Sequence, residues 1–274
     1  LSLLDADRYS DTITDYSERA DRLAAGLKKY GVVYHEGHAR ISHGWGDGIA
    51  YHVAGWNDPD ALYVGVKMGT PGASHAHMDV GSFIFEADGV RWAIDMGGED
   101  YDRLEKRGVD LWNGAQGSQR WEVFRYNNKA HNTLTFNDKP QSIKGKVQIK
   151  DWRDSTRLRY VAMDLTPVYE GQVRYAERAV AMVDDSYAVI EDRVEPGLYY
   201  TQMRWTLVTE ATPRILSDSV LLLEKGGKRC YVRIASQTPV RWIIRPAVSE
   251  NTYDSPNPGV TIVAFDTDLT LRQA

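Results

Sequence analysis

The segment SHAHMD, residues 74–79, holds the residues whose types and spacing are best suited to chemistry. It places His75 and His77 one residue apart and follows them with Asp79. Two further candidates lie downstream, Asp95 at the end of an apolar run and His131 in the segment AHNTL. Side chains two apart on a β-strand point to the same face, so the first two histidines are predicted to project into one cleft. Neutral imidazoles and a carboxylate are ligands that Zn²⁺ takes, and three protein ligands leave one position open.

The residues alone also allow a second interpretation. The spacing does not match the HExxH pattern of zinc proteases, and no cysteine lies in the motif. His77 and His131 would then be core or turn histidines bonded to the backbone, and Asp95 would cap a turn. Asp79 would either orient a ligand imidazole or cap the turn before the next strand. Composition leaves the metal site and this structural interpretation equally open.

Outside this motif the sequence is typical of an antiparallel β protein. Turn signals such as EADG, VDDS and EKGGK separate fifteen predicted strands, which are HARISH, GIAYHVA, ALYVGVKM, GSFIFEAD, VRWAID, NTLTF, GKVQIKD, RLRYVAMDL, VRYAERAVAMV, SYAVIEDRV, YYTQMRWTLV, SVLLLEK, RCYVRIAS, VRWIIRP and VTIVAFD. Their near-regular spacing predicts an all-β fold, a large two-sheet antiparallel β-sandwich. Residues 97–128 are the longest insertion, and long loops on a rigid sheet commonly carry function.

The first thirty residues differ from this pattern. In TDYSERADRLAAGLKKY the less polar positions recur at helical spacing, at Tyr16, Ala20, Leu23 and Leu27. They predict a short N-terminal helix, and Gly31 is suited to end it. We therefore expect a helical segment over residues 1–36 and a β-sandwich domain over residues 37–274. Because the chain starts at Leu1 and not at Met, we expect it to be a processed or excised fragment.

Charge and composition exclude several partners. The net charge of −5 argues against nucleic acid and against an anionic membrane surface. No apolar stretch reaches the length of a membrane span, so no such span is predicted. Cys230 is the single cysteine, which excludes an intrachain disulfide framework. The eight Trp and sixteen Tyr suit sugar faces, although β cores are also rich in aromatic residues.

The stretch ALYVGVKMG…SHAHMDVGSFIFEADGVRWAIDMGGEDY…FRYNNKAHNTLTFND, within residues 61–138, resembles the heparinase II/III-like polysaccharide lyases. This family also includes related alginate lyases. Its pattern is a strand, H-x-H-x-D, an apolar strand with Gly-Ser-Phe character, Asp-x-Gly, a variable loop and A-H-N-T-L. Every part is present here in order, and the ordered set is far more specific than any single motif.

The resemblance implies roles for the motif residues. His75 takes the position of the catalytic histidine, and a zinc ion would be held at the positions of His77, Asp95 and His131. The implied architecture is an N-terminal α/α toroid followed by a β-sandwich, with the substrate in the cleft between them. The segment 1–36 would then be a linker or remnant of that helical domain, which in the family supplies a catalytic Tyr and a carboxylate-neutralising Asn or His.

Several residues near the motifs are candidates for contact with substrate. Arg120, Arg125 and Asn132 could bind sulfate or carboxylate groups, and Trp112 and Trp121 could stack on sugar rings. Surface ion pairs for the arginines and loop packing for the tryptophans are the alternatives. Some alginate lyases of the group carry a second catalytic Tyr in this loop, which here offers Tyr101 and Tyr126, neither at a clearly corresponding place.

Together these features predict the β-sandwich domain of a periplasmic or secreted lyase that cleaves acidic polysaccharides containing uronic acid by β-elimination. A lyase must neutralise the uronate carboxylate, place a base at the adjacent carbon and place an acid at the leaving oxygen. His75 suits the role of the base or of the partner of the carboxylate, because imidazole exchanges protons near neutral pH. Elimination consumes no water, so the zinc is expected to order the loop and strand ends. A non-catalytic carbohydrate-binding module with structural zinc and a zinc hydrolase are the alternatives.

Overall fold

The alternating apolar pattern forms a β structure of antiparallel hairpins. The computed structural model describes residues 33–35, 38–42, 48–53, 58–155, 157–197 and 200–270. These residues form seventeen strands, all paired antiparallel. The prediction of an all-β antiparallel sandwich is confirmed, although hydrogen bonding divides the strands among four sheets.

The first sheet is a meander in chain order, composed of β1 (Val33–His35), β2 (His38–Ser42), β3 (Gly48–Val53), β4 (Tyr63–Lys67), β5 (Phe83–Ala87) and β6 (Val90–Ala93). The second has the order β11-β10-β9-β8, composed of β8 (Ile149–Asp154), β9 (Leu158–Asp164), β10 (Val173–Val183) and β11 (Tyr187–Pro196). The third has the order β16-β17-β12-β7, composed of β7 (Leu134–Phe136), β12 (Tyr200–Thr209), β16 (Arg241–Pro246) and β17 (Thr261–Thr270). The fourth is formed by β13 (Thr212–Ser217), β14 (Val220–Lys225) and β15 (Lys228–Arg233).

Each of the fifteen predicted strands overlaps a strand of the structure. The strands β1 and β13 are additional, because the runs VYH and TPRILS are short or interrupted by proline. The predicted N-terminal helix, most of the segment 1–36 and the boundary between residues 36 and 37 lie outside the described residues. Among the described residues, no helix combines the length and hydrophobicity needed to cross a membrane.

Tight turns fix the register of three hairpins. Asp88 and Gly89 join β5 to β6 with both φ angles positive, at 55° and 66°. Gly226 and Gly227 join β14 to β15 in the same way, and a three-residue turn, in which Asp184 and Asp185 also have positive φ, joins β10 to β11. This backbone matches the right-handed twist of the flanking strands, and Asp and Gly adopt it at the lowest cost. The turn signals EADG, VDDS and EKGGK therefore marked these hairpins correctly.

One hydrophobic core unites the four sheets. Each sheet contributes side chains to it, for example Val64, Val180, Trp205 and Leu221, all at most 7% exposed. β10 lies against β4, and β12 lies against β6. The core therefore holds the ends of β4, β6 and β7 in fixed relative positions, and the motif residues follow or precede these ends.

The long insertion between β6 and β7 is mostly irregular. It contains one short helix, α1 (Tyr101–Lys106), and 3-10 turns at Gln119–Glu122, Phe124–Tyr126 and Asn128–Ala130. The side chain of Asp100 caps α1 by accepting the N–H of Arg103 at 3.2 Å. A second, smaller apolar cluster under this insertion includes Met78, Leu104 and Leu111. The insertion is therefore packed onto the sandwich through its own core.

A buried ion pair connects the second sheet to the motif segments. Arg178 on β10 is fully buried and donates to both carboxylate oxygens of Asp192, at 2.8 and 2.9 Å. Its Nη1 also donates to the carbonyl oxygens of Gly81 at 2.7 Å and Asn132 at 2.8 Å. These carbonyls follow the motif residues Asp79 and His131 in the chain. Arg178 therefore sets the distance between the two segments.

We expect Arg178→Met to lower the free energy of unfolding by about 3–5 kcal/mol, because it leaves a buried carboxylate and two carbonyls unpaired. Chemical denaturation followed by circular dichroism measures the loss. Arg193→Met is the matched control, because Arg193 lies on the neighbouring strand with a side chain 70% exposed and 3.9 Å from Glu177. We expect the control to change stability by less than about 0.5 kcal/mol. Equal losses in the two variants would contradict the role assigned to Arg178.

Candidate functional site

The SHAHMD motif forms an irregular loop between β4 and β5, so the prediction that its two histidines share one face of a strand is wrong. His75 has a φ of 61°, the left-handed conformation that residues other than glycine seldom adopt. Strain of this kind concentrates at functional sites, where surrounding contacts maintain it. The left-handed turn separates the two histidines, exposing His75 and leaving His77 partly buried.

His75 belongs to an aromatic group at the surface of the insertion. Its Nδ1 lies 3.1 Å from the hydroxyl of Tyr101, and the two rings stack with an interplanar angle of 7°. Trp112 meets both rings edge-on, with centroid distances of 5.7 Å to His75 and 5.3 Å to Tyr101. Among the described residues, Nε2 of His75 has no partner, so one nitrogen of an exposed imidazole is available to a ligand.

His77 and His131 form a second, more buried group next to the first. Their ring centroids are 5.6 Å apart, and Tyr126 packs against His77 at 4.5 Å. Tyr126 also meets Tyr101 edge-on at 6.4 Å, which joins the two groups. Nδ1 of His131 lies 2.7 Å from Oδ2 of Asp95. Three residues from separate segments of the chain thus converge at the ends of β6 and β7.

The backbone of the insertion fixes the orientation of His131. Its Nε2 lies 2.8 Å from the carbonyl oxygen of Arg125. A carbonyl oxygen only accepts, so Nε2 must carry the proton and donate it. Nδ1 is therefore the nitrogen available to a cation on the side of Asp95. A metal-binding histidine commonly donates its other N–H to a carbonyl in this way.

Burial and neighbouring charges shift the pKa values of the three groups in different directions. Burial, with the positive charges of His131 and Lys67 nearby, lowers the pKa of His77 to about 3, so this imidazole stays neutral. Burial opposes charge on His131, but the charge and hydrogen bond of Asp95 outweigh it and raise the pKa of His131. Burial likewise acts to raise the pKa of Asp95, and the charge of His131 with the N–H of Gly97 holds it below its usual range. The negative charge of Asp95 that raises the pKa of His131 would also favour a cation at this place.

The donor set fits a zinc ion in its chemistry, since it offers two imidazoles and a carboxylate. A second carboxylate also lies close. The donor atoms of His77, Asp79 and His131 are within 4.8 Å of one another, and this trio is the group of possible ligands found among the described residues. Both oxygens of Asp79 lie 2.9 Å from Nζ of Lys67, which already neutralises its charge. Asp95 instead contacts His131 directly, so Asp95 remains the predicted carboxylate ligand and Asp79 is the alternative.

Three of the five predicted substrate contacts are buried and have structural roles. Arg120 is 5% exposed and donates to the carbonyl oxygens of Leu111 and Ala76, which ties the insertion to the motif loop. Trp121 is 4% exposed and donates to the carbonyl oxygen of Ala115. The predictions that Arg120 binds sulfate or carboxylate groups and that Trp121 stacks on a sugar ring are corrected, because both side chains are buried and their donors already bond to backbone carbonyls.

Asn132 is the third corrected residue. It is fully buried, and its Nδ2 donates to the carbonyl oxygens of Phe83 at 2.6 Å and Ile94 at 2.7 Å. Its Oδ1 accepts the N–H of Val208 at 2.5 Å. All polar atoms of the amide are occupied, so Asn132 joins β5, β6 and β12 and has no group left for a ligand.

Arg125 and Trp112 differ from these three. The guanidinium of Arg125 donates to Asn257 Oδ1 and to the carbonyl oxygen of Gly98, and it lies 3.3 Å from Glu99. It anchors the insertion to the turn before β17, and its main chain orients His131. Trp112 is 60% exposed, so it can still meet a sugar ring as predicted.

Tyr101 is the functional candidate that sequence reasoning left unassigned. Its hydroxyl faces His75, whereas Tyr126 is fully buried and burial raises its pKa above the usual range. The distinction could not be read from spacing, because both residues lie in an insertion of irregular structure. The capping residue Asp100 was the available signal, since it starts the helix that carries Tyr101.

The chain matches one family model and is similar to several solved structures. Residues 43–249 match the family model described as heparinase II/III-like, C-terminal. The structure is similar to a crystal structure of heparan sulfate lyase HepC from Pedobacter heparinus, with a TM-score of 0.55 and 18% identity over 83% of this chain and 36% of that one. It is similar to a crystal structure of heparinase III, with a TM-score of 0.59 and 13% identity over 81% of this chain and 33% of that one. The chain thus spans about a third of the solved structures it matches. A comparison with curated protein sequences found no match.

We expect the protein to bind one equivalent of zinc, and His77→Ala and Asp95→Asn to lose it, because each removes one donor. His75→Ala should retain the metal, because His75 lies outside the donor set. Atomic absorption after gel filtration measures the stoichiometry. The variant Asp79→Asn tests whether Asp79 or Asp95 is the carboxylate that binds the metal. Loss of zinc from Asp79→Asn with retention in Asp95→Asn would transfer the ligand role to Asp79. Full zinc in both His77→Ala and Asp95→Asn would refute the assignment.

Proposed function

Because the chain belongs to the heparinase II/III-like C-terminal family, we propose that it is the β-sandwich domain of a polysaccharide lyase. In this proposal the lyase cleaves uronic-acid-containing polysaccharide by β-elimination. The observation that carries the proposal is the exposed pair His75–Tyr101, held on a left-handed backbone beside the cluster of His77, Asp95 and His131. A catalytic imidazole needs a fixed orientation and access to solvent, and His75 has both.

The elimination breaks two bonds on one sugar ring. A base removes the proton from the carbon next to the carboxylate, and the electron pair of that C–H bond forms a carbon–carbon double bond. The C–O bond to the neighbouring sugar then breaks, and the leaving oxygen takes a proton. The base must lie within hydrogen-bond reach of the carbon and exchange a proton readily.

His75 is suited to the step at carbon. Nδ1 is occupied by the hydroxyl of Tyr101, so Nε2 is the nitrogen that remains for a substrate. We assign Nε2 as the base. The stacked Tyr101 ring and its hydroxyl hold the imidazole in place and stabilise the proton that it receives. The acid at the leaving oxygen and the donors to the carboxylate are assigned to a helical domain of the same polypeptide.

A zinc ion held by His77, Asp95 and His131 would order the insertion against the strand ends. Residues of this chain also hold the insertion in place. Arg125 holds His131 through its main chain, and Arg120 lies 4.7 Å from the centre of the Tyr126 ring while bonding the motif loop. In this proposal Arg120, which bonds the motif loop, and Arg125, which orients His131, hold the surroundings of His75 in place.

The partners and compartment follow from the proposed substrate. Acidic polysaccharides lie outside the cytoplasm, so we propose a periplasmic or secreted location. The substrate would lie between this domain and the helical domain, in line with the fraction of the longer solved structures that the chain covers.

The test is the absorbance of unsaturated uronate in the near ultraviolet, measured with the full-length protein on heparan sulfate, hyaluronan and alginate. We expect His75→Ala to lower kcat by at least about 100-fold and Tyr101→Phe by about tenfold or more, because general base catalysis contributes factors of this size. Both variants should keep zinc and the wild-type melting temperature.

Other outcomes point to other functions. Sugar binding without any unsaturated product would indicate a non-catalytic carbohydrate-binding module. Chelator-sensitive hydrolysis without that product would indicate a zinc hydrolase. Wild-type turnover by His75→Ala would show that the base lies elsewhere.

A further inference from the structure

The outer face of the fourth sheet carries an exposed aromatic ring. Leu221 and Leu223 of β14 belong to the core, so Leu222 between them faces the opposite side of the sheet. Strand pairing places Arg214 on β13 and Tyr231 on β15 beside Leu222, in one row of this outer face. Tyr231 is 55% exposed, so its ring is open to a ligand on the outside of the sheet.

Basic side chains flank Tyr231 on the same face. Arg229 and Arg233 lie two positions before and after it on β15, so all three side chains point outward. Arg229 and Arg214 lie 3.2 and 3.9 Å from one shared carboxylate, that of Glu224. Arg233 is exposed and forms no ion pair with an acidic residue in the described part of the chain. The guanidinium groups of this face therefore outnumber its carboxylates.

The surplus of positive charge is confined to this part of the chain. Residues 212–233 contain five basic and two acidic side chains, whereas the whole chain has a net charge of −5. Charged residues on the edge strands of a sheet commonly prevent pairing with another strand. An exposed aromatic ring opposes that purpose, because it favours contact. A ring between guanidinium groups instead suits an anionic sugar, whose apolar face packs on the ring while its carboxylate or sulfate binds arginine.

This face lies far from the histidines of the motif. Lys228, the first residue of β15, donates to the carbonyl oxygen of Asp88 in the turn between β5 and β6. The motif loop precedes β5 at its other end, and Asp95 follows β6 at that same end. β5 has five residues and is therefore about 15 Å long. A ligand on the fourth sheet is thus separated from the site around His75 by the length of the first sheet.

We propose that the face formed by Arg214, Arg229, Tyr231 and Arg233 is a second binding surface for acidic polysaccharide, outside the catalytic cleft. The inference rests on the proposed function for the class of polymer that it names. Arg229 and Arg233 are about 13 Å apart along the strand, so the face can contact a short run of sugar rings. A polymer bound at this face and in the cleft at the same time is held more tightly than by either site alone.

Affinity electrophoresis of the full-length protein tests the surface without requiring turnover. The variants are made in the His75→Ala background, and the gels contain heparan sulfate, hyaluronan or alginate. We expect at least one polymer to retard the His75→Ala protein. Tyr231→Ala and the double variant Arg229→Gln/Arg233→Gln should each bind that polymer about three- to tenfold more weakly, because each removes contacts made only on the outer face. Both should keep the parent melting temperature, since the altered side chains are exposed.

The second sheet supplies matched controls. Tyr187 on β11 is 53% exposed, so Tyr187→Ala removes an equally open ring. Arg174→Gln/Arg193→Gln removes two charges whose side chains are 67% and 70% exposed. Both controls should be retarded as strongly as the parent. Absence of retardation by all three polymers, or equal losses in the variants and their controls, would overturn the proposal. Gel filtration showing a dimer that Tyr231→Ala dissociates would also overturn it and assign the face to a second copy of the chain.

Turnover by the protein with His75 intact separates this inference from the proposed function. Tyr231→Ala should raise KM about three- to tenfold on the long polymer and leave kcat unchanged, whereas a tetrasaccharide of that polymer should show no change in KM. An equal rise of KM on the tetrasaccharide would place Tyr231 in the cleft and overturn the second surface. Absence of unsaturated product from every polymer would refute the lyase proposal alone, because the electrophoresis still reports binding at the fourth sheet.

Discussion

The hydrogen bonds of one buried amide are the constraint on which the site depends. Asn132 joins β5, the end of β6 and β12 with its side chain, and its carbonyl oxygen accepts from the guanidinium of Arg178. His131 directly precedes Asn132 in the chain. Its backbone position is therefore set by the three strands that Asn132 joins. A buried polar network of this kind specifies one arrangement, because every unmade bond would leave a desolvated group. The core supplies most of the stability, and the amide defines where the imidazole must lie.

Arginines hold the insertion in place mainly through backbone carbonyls. Arg103 and Arg120 donate to the carbonyl oxygens of Asp254 and Ala76, outside the insertion. Arg125 donates to the carbonyl oxygen of Gly98 within it and to the side chain of Asn257, and no regular strand pairing does this work in the insertion. Irregular backbone leaves its carbonyls without ladder partners, and a guanidinium with five donors can satisfy several of them at once. This use explains why positive charge near the motifs is poor evidence for a site that binds anions.

The sequence predicted the sandwich well because alternation and turn chemistry are local. The hairpins at Asp88–Gly89 and Gly226–Gly227 follow from residues that accept positive φ, and strand faces follow from period-two patterns. The site was predicted less completely. His75 occupies a left-handed turn and not a strand, Tyr101 meets it across 26 positions of chain, and Asn132 is saturated by three strands. Each of these facts depends on tertiary contacts that no local pattern encodes. Residue types and spacing pointed to the histidines, and the family resemblance added their separate roles.

The contact between Nε2 of His131 and the main chain of Arg125 has a thermodynamic consequence. That carbonyl is held in place because the guanidinium of Arg125 is anchored at Asn257, more than a hundred positions away. The tautomer of a single imidazole is thus a property of the closed fold and does not exist in the unfolded chain. Affinity for any ion that needs Nδ1 unprotonated is accordingly acquired during folding, and the same free energy opposes opening of the insertion.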